Sequence, residues 1–69
     1  MSLGERMKDR RIELGMSQRD LAELCEVSQG MINQMERGTK SPSLQLGFII
    51  AKVLKVSINW LLGVDDSQI

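Results

Sequence analysis

The chain has no histidine and only one cysteine, Cys25, among its 69 residues. No histidine acid–base pair, Cys–His nucleophile, zinc site or internal disulfide is therefore expected. A glycine-rich phosphate loop is also missing, and the paired carboxylates Asp65 and Asp66 lie in a predicted tail, where no pocket is expected. We expect no enzyme, no metal, no cofactor and no small-molecule ligand. Cys25 is interpreted as a small core residue.

Aromatic residues and long apolar runs are scarce as well. Phe48 and Trp60 are the only aromatic residues, which predicts a core of aliphatic and methionine side chains. No apolar run is long enough to span a bilayer, and the polar, charged N-terminus does not have the pattern of a signal peptide. The sequence therefore predicts a cytoplasmic protein without a membrane segment. Its length suffices for one small domain and is too short for two cores.

Positive charge is not in excess, since nine Lys and Arg residues balance nine Asp and Glu residues. A nonspecific nucleic-acid binder usually carries a clear basic excess. A specific binder remains possible because the charges are unevenly placed. Acids gather at Glu23, Glu26, Asp65 and Asp66, and bases gather at Arg6, Lys8, Arg10, Arg11, Arg37 and Lys40. This partition predicts one basic and one acidic face.

The most informative stretch runs over residues 17–37 and predicts two short helices, at about 18–25 and 29–36, joined by a tight turn. Ser17 and Asp20 have the spacing of a capping box, and Ser28 offers a second N-cap. Ala22 allows the helices to cross closely, because its side chain is a single methyl group. Apolar residues at helical spacing give each helix an inward face, formed by Leu21, Ala22, Cys25, Ile32 and Met35.

The outward side of the second helix carries amide and guanidinium groups, from Gln29, Asn33, Gln34 and Arg37, together with Gly30. Such groups pair with adenine and guanine edges in the major groove of DNA. Gln29 is the first candidate for a bidentate contact with adenine, and Asn33 and Gln34 lie one turn further along. A protein-binding face would be more apolar, so the pattern favours DNA recognition.

The chain resembles the Cro/C1 family, the helix-turn-helix proteins that include lambdoid phage repressors and Cro. The similarity covers nearly the whole chain, in the segments LGER, SQRDLAEL, VSQGMINQMERG, SPSLQL and AKVLKVSINWLL. It implies an all-α fold, a compact bundle of five short helices in residues 1–63, and a tail or the start of a linker in residues 64–69. It also implies a homodimer that binds double-stranded DNA sequence-specifically and regulates transcription, with a palindromic operator whose half-sites lie about 34 Å apart.

The resemblance further implies that the second helix of the motif enters the major groove by its N-terminal end. Base contacts are then expected from Gln29, Gly30, Asn33 and Gln34. Phosphate contacts, which position a domain without reading sequence, are expected from Gln18, Ser28, Arg10, Arg19, Arg37 and Lys40. The alternative for each cation is a solvated side chain without a contact. Glycine at position 30 either lets the helix approach closely or leaves room for a thymine methyl group.

Arg11 falls on the inward stripe of the first helix, together with Met7 and Leu14. A buried cation needs a partner, because an unpaired buried charge is costly. Glu36 is the natural candidate, and the Cro/C1 resemblance implies the same ion pair. The alternative is that Arg11 extends to water beside Arg10. We expect the structural pair.

Glu26 and Lys55 depart from the family pattern, which often has glycine at both places because the backbone there commonly has positive φ. Glu26 would then carry about 1 kcal/mol of strain. Gly47 also departs, since relatives usually have a large aliphatic residue in this fourth helix. The helix either bends at Gly47 or has the space filled by a neighbour such as Phe48 or Met35.

The segment 41–43 opens the fourth helix, with Pro42 suited to its first turn and either serine able to cap it. A fifth helix is predicted over residues 58–62. The large side chains of Trp60, Leu61 and Leu62 do not all fit into one core from so short a helix. Since the repressors that the chain resembles meet their partner at this end, we assign Ile58, Trp60 and Leu61 to the dimer contact.

Two other functions are compatible with the sequence. The same fold serves in antitoxins and in restriction-control regulators, which a neighbouring toxin or nuclease gene would distinguish. A less favoured alternative is a protein-interaction module that has no DNA binding and uses an apolar surface around Leu46, Ile49 and Trp60. A salt titration separates this alternative, because phosphate-driven binding weakens steeply as salt rises.

Overall fold

A computed structural model describes residues 2–64. Five α-helices follow one another as α1 (Leu3–Glu13), α2 (Gln18–Cys25), α3 (Gln29–Arg37), α4 (Leu44–Leu54) and α5 (Ile58–Leu62). Helices are the only regular secondary structure between residues 2 and 64, which confirms the predicted all-α bundle of five short helices. In this part of the chain no helix is long and apolar enough to cross a membrane. The predicted tail, residues 64–69, lies outside the described residues apart from Val64.

Every helix begins after a serine N-cap with an extended backbone. The side-chain oxygen of each serine accepts a hydrogen bond from the backbone amide three residues later, at Ser2, Ser17, Ser28, Ser43 and Ser57. Ser2 with Glu5 and Ser17 with Asp20 form complete capping boxes. Hydrogen bonds from the serine backbone amide and side chain lower the pKa of both carboxyl groups. Both boxes therefore stabilise the fold at neutral pH and lose this contribution as the pH falls through the lowered pKa values.

The start of α4 agrees with one of the two expected serine caps and differs from the expectation at Pro42. Ser43 rather than Ser41 is the N-cap, since its hydroxyl accepts from the Leu46 amide at 3.1 Å. Pro42 consequently precedes the helix and does not lie in its first turn. A proline at this place disfavours helical backbone in the residue before it, which helps to keep the loop extended up to the cap.

Every helix is followed by a residue in the left-handed conformation, with φ between 57° and 81°, at Gly15, Glu26, Gly38, Lys55 and Gly63. The next amide then bonds back to the last turn, as Val27 N–H does to the Ala22 carbonyl at 3.0 Å. This is a Schellman-type ending, which satisfies carbonyl groups that a helix terminus leaves open. The predicted positive φ at Glu26 and Lys55 is confirmed, at 57° and 58°.

Replacing Glu26 with glycine is expected to stabilise the domain by about 0.5–1 kcal/mol. Left-handed backbone costs a residue with a Cβ about 1–2 kcal/mol, and the greater freedom of glycine in the unfolded chain offsets part of that gain. Glu26→Ala is the matched control, because it removes the charge and keeps the strain. The free energy of unfolding in urea measures both. Equal gains from the two variants would contradict the backbone explanation.

The core lies between the helices and is aliphatic and rich in methionine, as predicted. Its largest fully buried side chains are Met7, Leu21, Ile32, Met35, Ile50, Leu54 and Leu61. Ala22 is buried on α2, the helix that packs against α3, in agreement with the role predicted for a small side chain. Cys25 is also buried, and burial raises the pKa of its thiol. The thiol is therefore protonated at neutral pH, as suits a core residue.

Helix α4 buries one face of its largely apolar surface. Its buried residues are Gly47, Ile50, Ala51 and Leu54. Phe48 is 52% exposed and does not fill the space at Gly47, where Ile58 is the neighbouring side chain. Apolar residues occur on most sides of α4, so their spacing cannot select one face. Elsewhere on α4, Ile49 is exposed, and Leu46 and Val53 are half-buried against the core.

Helix α1 approaches the backbone of α3 closely at Gly4. A Cβ atom built on Gly4 would lie within 3.0 Å of the carbonyl oxygens of Met35 and Glu36. Real Cβ atoms essentially never come this close to backbone atoms, so the separation between the two helices requires glycine. The contact sets the position of the C-terminal half of α3 relative to α1.

Candidate nucleic-acid interface

A buried ion pair holds α3 against α1. Arg11 Nε lies 2.7 Å from Glu36 Oε2, and Arg11 Nη2 donates to Glu36 Oε1 at 3.1 Å, so the guanidinium grips the carboxylate with two parallel bonds. The third nitrogen, Nη1, donates to the Met16 carbonyl at 2.8 Å. The Glu36 side chain is 2% exposed and that of Arg11 is 10% exposed. The structure thus contains the ion pair expected from the sequence.

Two amide side chains extend this pair to the surface. Gln18 Nε2 donates to Glu36 Oε1 at 3.2 Å, and Asn33 Nδ2 donates to Gln18 Oε1 at 3.5 Å. We call Arg11, Glu36, Gln18 and Asn33 the anchoring network. Within residues 2–64, every buried side-chain nitrogen and oxygen has a hydrogen-bond partner. The network therefore joins α1, α2 and α3 without leaving a buried polar atom unsatisfied.

The opposite side of α3 is open to solvent. Its exposed residues, Gln29, Gly30, Gln34 and Arg37, form what we call the outer face. Asn33 is half-buried and lies at the edge of this face, because one side of its amide contacts Gln18. Ser28 caps the helix, and the first amides of a helix have no acceptor within it. The structure thus brings four predicted base-contacting residues and a positively polarised helix end to one surface.

The predicted phosphate-contacting cations have different surroundings. Arg37 and Lys40 are exposed, at the end of α3 and in the loop that follows. Arg19 is exposed on α2, where its Nε lies 3.2 Å from Glu23 Oε1. An exposed pair at this spacing contributes only about 0.3–0.5 kcal/mol, so a phosphate competes easily for the guanidinium.

Arg10 is the exception, because its side chain links α1 to α4. Its Nε donates to the Leu54 carbonyl at the end of α4, at 2.9 Å, and its Nη1 lies 3.7 Å from Glu13 Oε2. The guanidinium thereby satisfies a carbonyl at a helix C-terminus, where a cation is favoured. A phosphate contact from Arg10 would require it to give up this bond.

The residues assigned to a dimer contact lie in three different environments. Leu61 is completely buried in the core, so its side chain is not available to a partner and that assignment is corrected. Trp60 is 40% exposed, and Ile58 is half-buried. Leu62, which the sequence analysis did not select, is exposed. Ile58 and Leu62 line one wall of a mostly apolar groove of about 340 Å³, whose other walls are Leu3, Ser41, Pro42, Ser43, Leu44 and Gly47.

The arrangement of α2, the turn and α3 also identifies the family. A family model described as helix-turn-helix matches residues 7–61. The chain belongs to the Cro/C1-type helix-turn-helix family. The family match covers most of the sequence.

Relatives within the family are transcriptional regulators. The HTH-type transcriptional regulator DicA of Escherichia coli K12 is 38% identical over 69 residues, which are 99% of this chain and 51% of DicA. The regulator ImmR of Bacillus subtilis 168 is 30% identical over 96% of this chain and 52% of ImmR. The helix-turn-helix chain thus spans about half the length of these relatives. Both names describe regulators of transcription, and neither describes an enzyme.

Solved structures place the fold with phage repressors. The P22 c2 repressor, crystallised with a synthetic operator, superimposes with a TM-score of 0.89 and is 32% identical. The match covers 94% of this chain and 98% of the P22 chain. All five helices of the helix-turn-helix domain therefore belong to a repressor-type fold.

Proposed function

We propose that this chain binds double-stranded DNA sequence-specifically, as the homodimeric DNA-binding domain of a transcriptional regulator of phage-repressor or Cro type. The amide-rich outer face of α3, fixed from behind by the buried Arg11–Glu36 pair, is the observation that carries this proposal. A rigid helix with exposed amides pairs with base edges at a small cost in conformational entropy. The operator-bound state of the similar P22 c2 repressor supports the same role.

Base contacts in this proposal come from the first two turns of α3. Gln29 pairs with adenine N6 and N7, a contact that contributes about 1–3 kcal/mol of discrimination. Asn33 and Gln34 reach the bases one turn further along. At Gly30, a Cβ atom would meet nothing closer than Ser28 Oγ at 3.9 Å. The protein itself does not require glycine there, so the open space permits a close approach of the backbone to DNA.

Phosphate contacts position the domain on either side of the groove. The N-termini of α2 and α3 supply free backbone amides, and the side chains of Gln18 and Ser28 lie beside them. Gln18 gives one amide hydrogen to Glu36 and retains the other for a phosphate oxygen. The exposed cations Arg19, Arg37 and Lys40 complete the set, and Arg10 joins it only by leaving Leu54.

The dimer contact in this proposal uses the exposed part of α5. Ile58 and Trp60 are retained from the sequence prediction, and Leu62 replaces the buried Leu61. Exposed apolar groups beside an apolar groove are typical of an interaction site. A two-fold dimer formed here would bind half-sites about one helical turn, roughly 34 Å, apart.

The first experiment is selection of bound sequences from a random duplex pool at two salt concentrations. We expect an enriched palindrome, because a two-fold dimer presents the same α3 to both half-sites. Affinity should fall steeply with added salt, since phosphate contacts release counterions. Failure to enrich any sequence at either salt concentration would reject DNA binding and leave a protein-interaction module as the alternative.

Gln29→Ala is expected to relax the preference at one base pair in each half-site, by about 1–3 kcal/mol, because it removes a bidentate contact. Lys40→Ala is the matched control. It should weaken binding uniformly across sequences and lower the salt slope by about one. Binding measured on the selected operator and its single-base variants distinguishes the two patterns. A uniform loss from Gln29→Ala would show that this side chain contacts the backbone instead of a base.

A further inference from the structure

In the anchoring network, the buried Glu36 carboxylate fixes which groups donate and which accept hydrogen bonds, from Glu36 through Gln18 to Asn33. It starts at Glu36, whose ionised carboxylate only accepts hydrogen bonds and is 2% exposed. The Gln18 group facing it must therefore be the donor, Nε2, as the 3.2 Å contact shows. This leaves Gln18 Oε1 on the other side of the amide, where it accepts from Asn33 Nδ2 at 3.5 Å. The buried charge thus determines which way both amides point.

Asn33 consequently has a restricted set of hydrogen-bonding groups. One of its two Nδ2 hydrogens is directed at Gln18, and a reversed amide would bring Oδ1 against Gln18 Oε1, acceptor against acceptor. One N–H and the carbonyl oxygen remain. Asn33 is half-buried, so part of the residue is open to a ligand on the outer face.

We propose that Gln18 is a positioning residue that sets the base preference of Asn33, favouring adenine over guanine. This inference rests on the proposed DNA-binding function. In the major groove adenine presents one acceptor, N7, and one donor, the N6 amino group, whereas guanine presents two acceptors, N7 and O6. The remaining N–H and oxygen of Asn33 match adenine. A match to guanine needs both N–H donors of Asn33, and one of them is already bonded to Gln18.

Gln18→Met tests this directly, because methionine has a similar length and no amide. The substitution releases the second Nδ2 hydrogen of Asn33, so the side chain can offer two donors and tolerate guanine. We expect the ratio of adenine to guanine affinity at the base pair read by Asn33 to fall by about three- to tenfold. Glu36 keeps both bonds from Arg11 in this variant, so the domain should stay folded, which a thermal melt checks.

The base pair is first located with Asn33→Ala, as the position whose preference relaxes. Affinities for operators with adenine or guanine at this pair are then measured for the wild type, Gln18→Met and the double variant. Arg19→Met is the comparison for a phosphate contact on the same helix, and it should weaken both operators by the same factor. In the double variant, Gln18→Met should have no further effect on the ratio, since the side chain that it releases is gone.

Three results would overturn the inference. These are an unchanged adenine-to-guanine ratio in folded Gln18→Met, no relaxed base pair in Asn33→Ala, or the same change of ratio with and without Asn33. Wild-type protein that binds no DNA would reject the proposed function instead.

If Gln18→Met fails to fold, hydrogen exchange in the wild-type protein tests the network without any substitution. One Asn33 Nδ2 proton should exchange with solvent more slowly than the side-chain amide protons of exposed Gln34, and equal exchange would reject the directed network.

Discussion

Gly4→Ala is expected to destabilise the domain by about 3 kcal/mol, a large part of the stability of a small domain. The added methyl group would meet the backbone carbonyl oxygens of Met35 and Glu36, which cannot rotate away as a side chain does. The helices α1 and α3 must then separate, which also strains the Arg11–Glu36 pair between them. The free energy of unfolding in urea is the measurement.

Gly47→Ala is the matched control, because Gly47 is also buried in a helix. Its Cβ would have an ordinary contact of 3.6 Å with Ile58 Cδ1. Alanine is favoured over glycine within a helix by about 1 kcal/mol, so this variant should be more stable than the wild type. Opposite signs for the two substitutions are the expected result. A loss at both glycines, or at neither, would contradict the role given to the α1–α3 backbone contact.

Glu36→Ala is expected to cost about 3–5 kcal/mol, since it leaves the Arg11 guanidinium buried without its counter-charge. Arg11 would retain only the Met16 carbonyl among its described partners, and Gln18 would lose the acceptor of its amide. The double variant Arg11→Met/Glu36→Leu should recover much of the loss, because it removes the unpaired charge as well. Denaturant unfolding of the single and double variants gives both values.

A surface pair provides the comparison for this prediction. Glu23 pairs with Arg19 one turn away on the surface of α2, and the Glu23 side chain is 67% exposed. Glu23→Ala should therefore change the free energy of unfolding by less than about 0.5 kcal/mol. A similarly small effect from Glu36→Ala would show that burial of the Arg11–Glu36 pair has no energetic consequence.

Features encoded by neighbouring residues were predictable from the sequence. Helix starts at Ser17 and Ser28 follow from a hydroxyl that bonds to an amide three residues away. The left-handed residues Glu26 and Lys55 followed from the family resemblance. The inward stripe of α1 was also evident from its spacing, including the misplaced charge of Arg11 that required a partner.

Contacts between distant parts of the chain were not predictable in the same way. Nothing near Gly4 in the sequence indicates that α3 passes within van der Waals distance of it. The bond from Arg10 to the Leu54 carbonyl likewise depends on how α1 and α4 pack. In α4 and α5 nearly every side chain is apolar, so spacing alone could not show that Phe48 is exposed and Leu61 buried.

The candidate site was predictable in its residue types and not in its connections. The amides of α3 are evident from the sequence, and the structure places Gln29 and Gln34 on an exposed surface. Gln18 and Asn33 were selected as independent DNA contacts. Their mutual hydrogen bond, and the bond from Gln18 to a buried carboxylate, required the relative position of three helices.

The helix ends have a consequence for the evolution of this domain. Each boundary is set by a serine before the helix and a left-handed residue after it, and neither group includes Gln29, Gly30 or Gln34. These three residues are also absent from the core. In the proposed function, substitutions at these three positions change the base sequence that the domain recognises, while the helix boundaries and the core stay the same. Gene duplicates of such a domain are therefore free to acquire different target sites by single substitutions, without first acquiring extra stability.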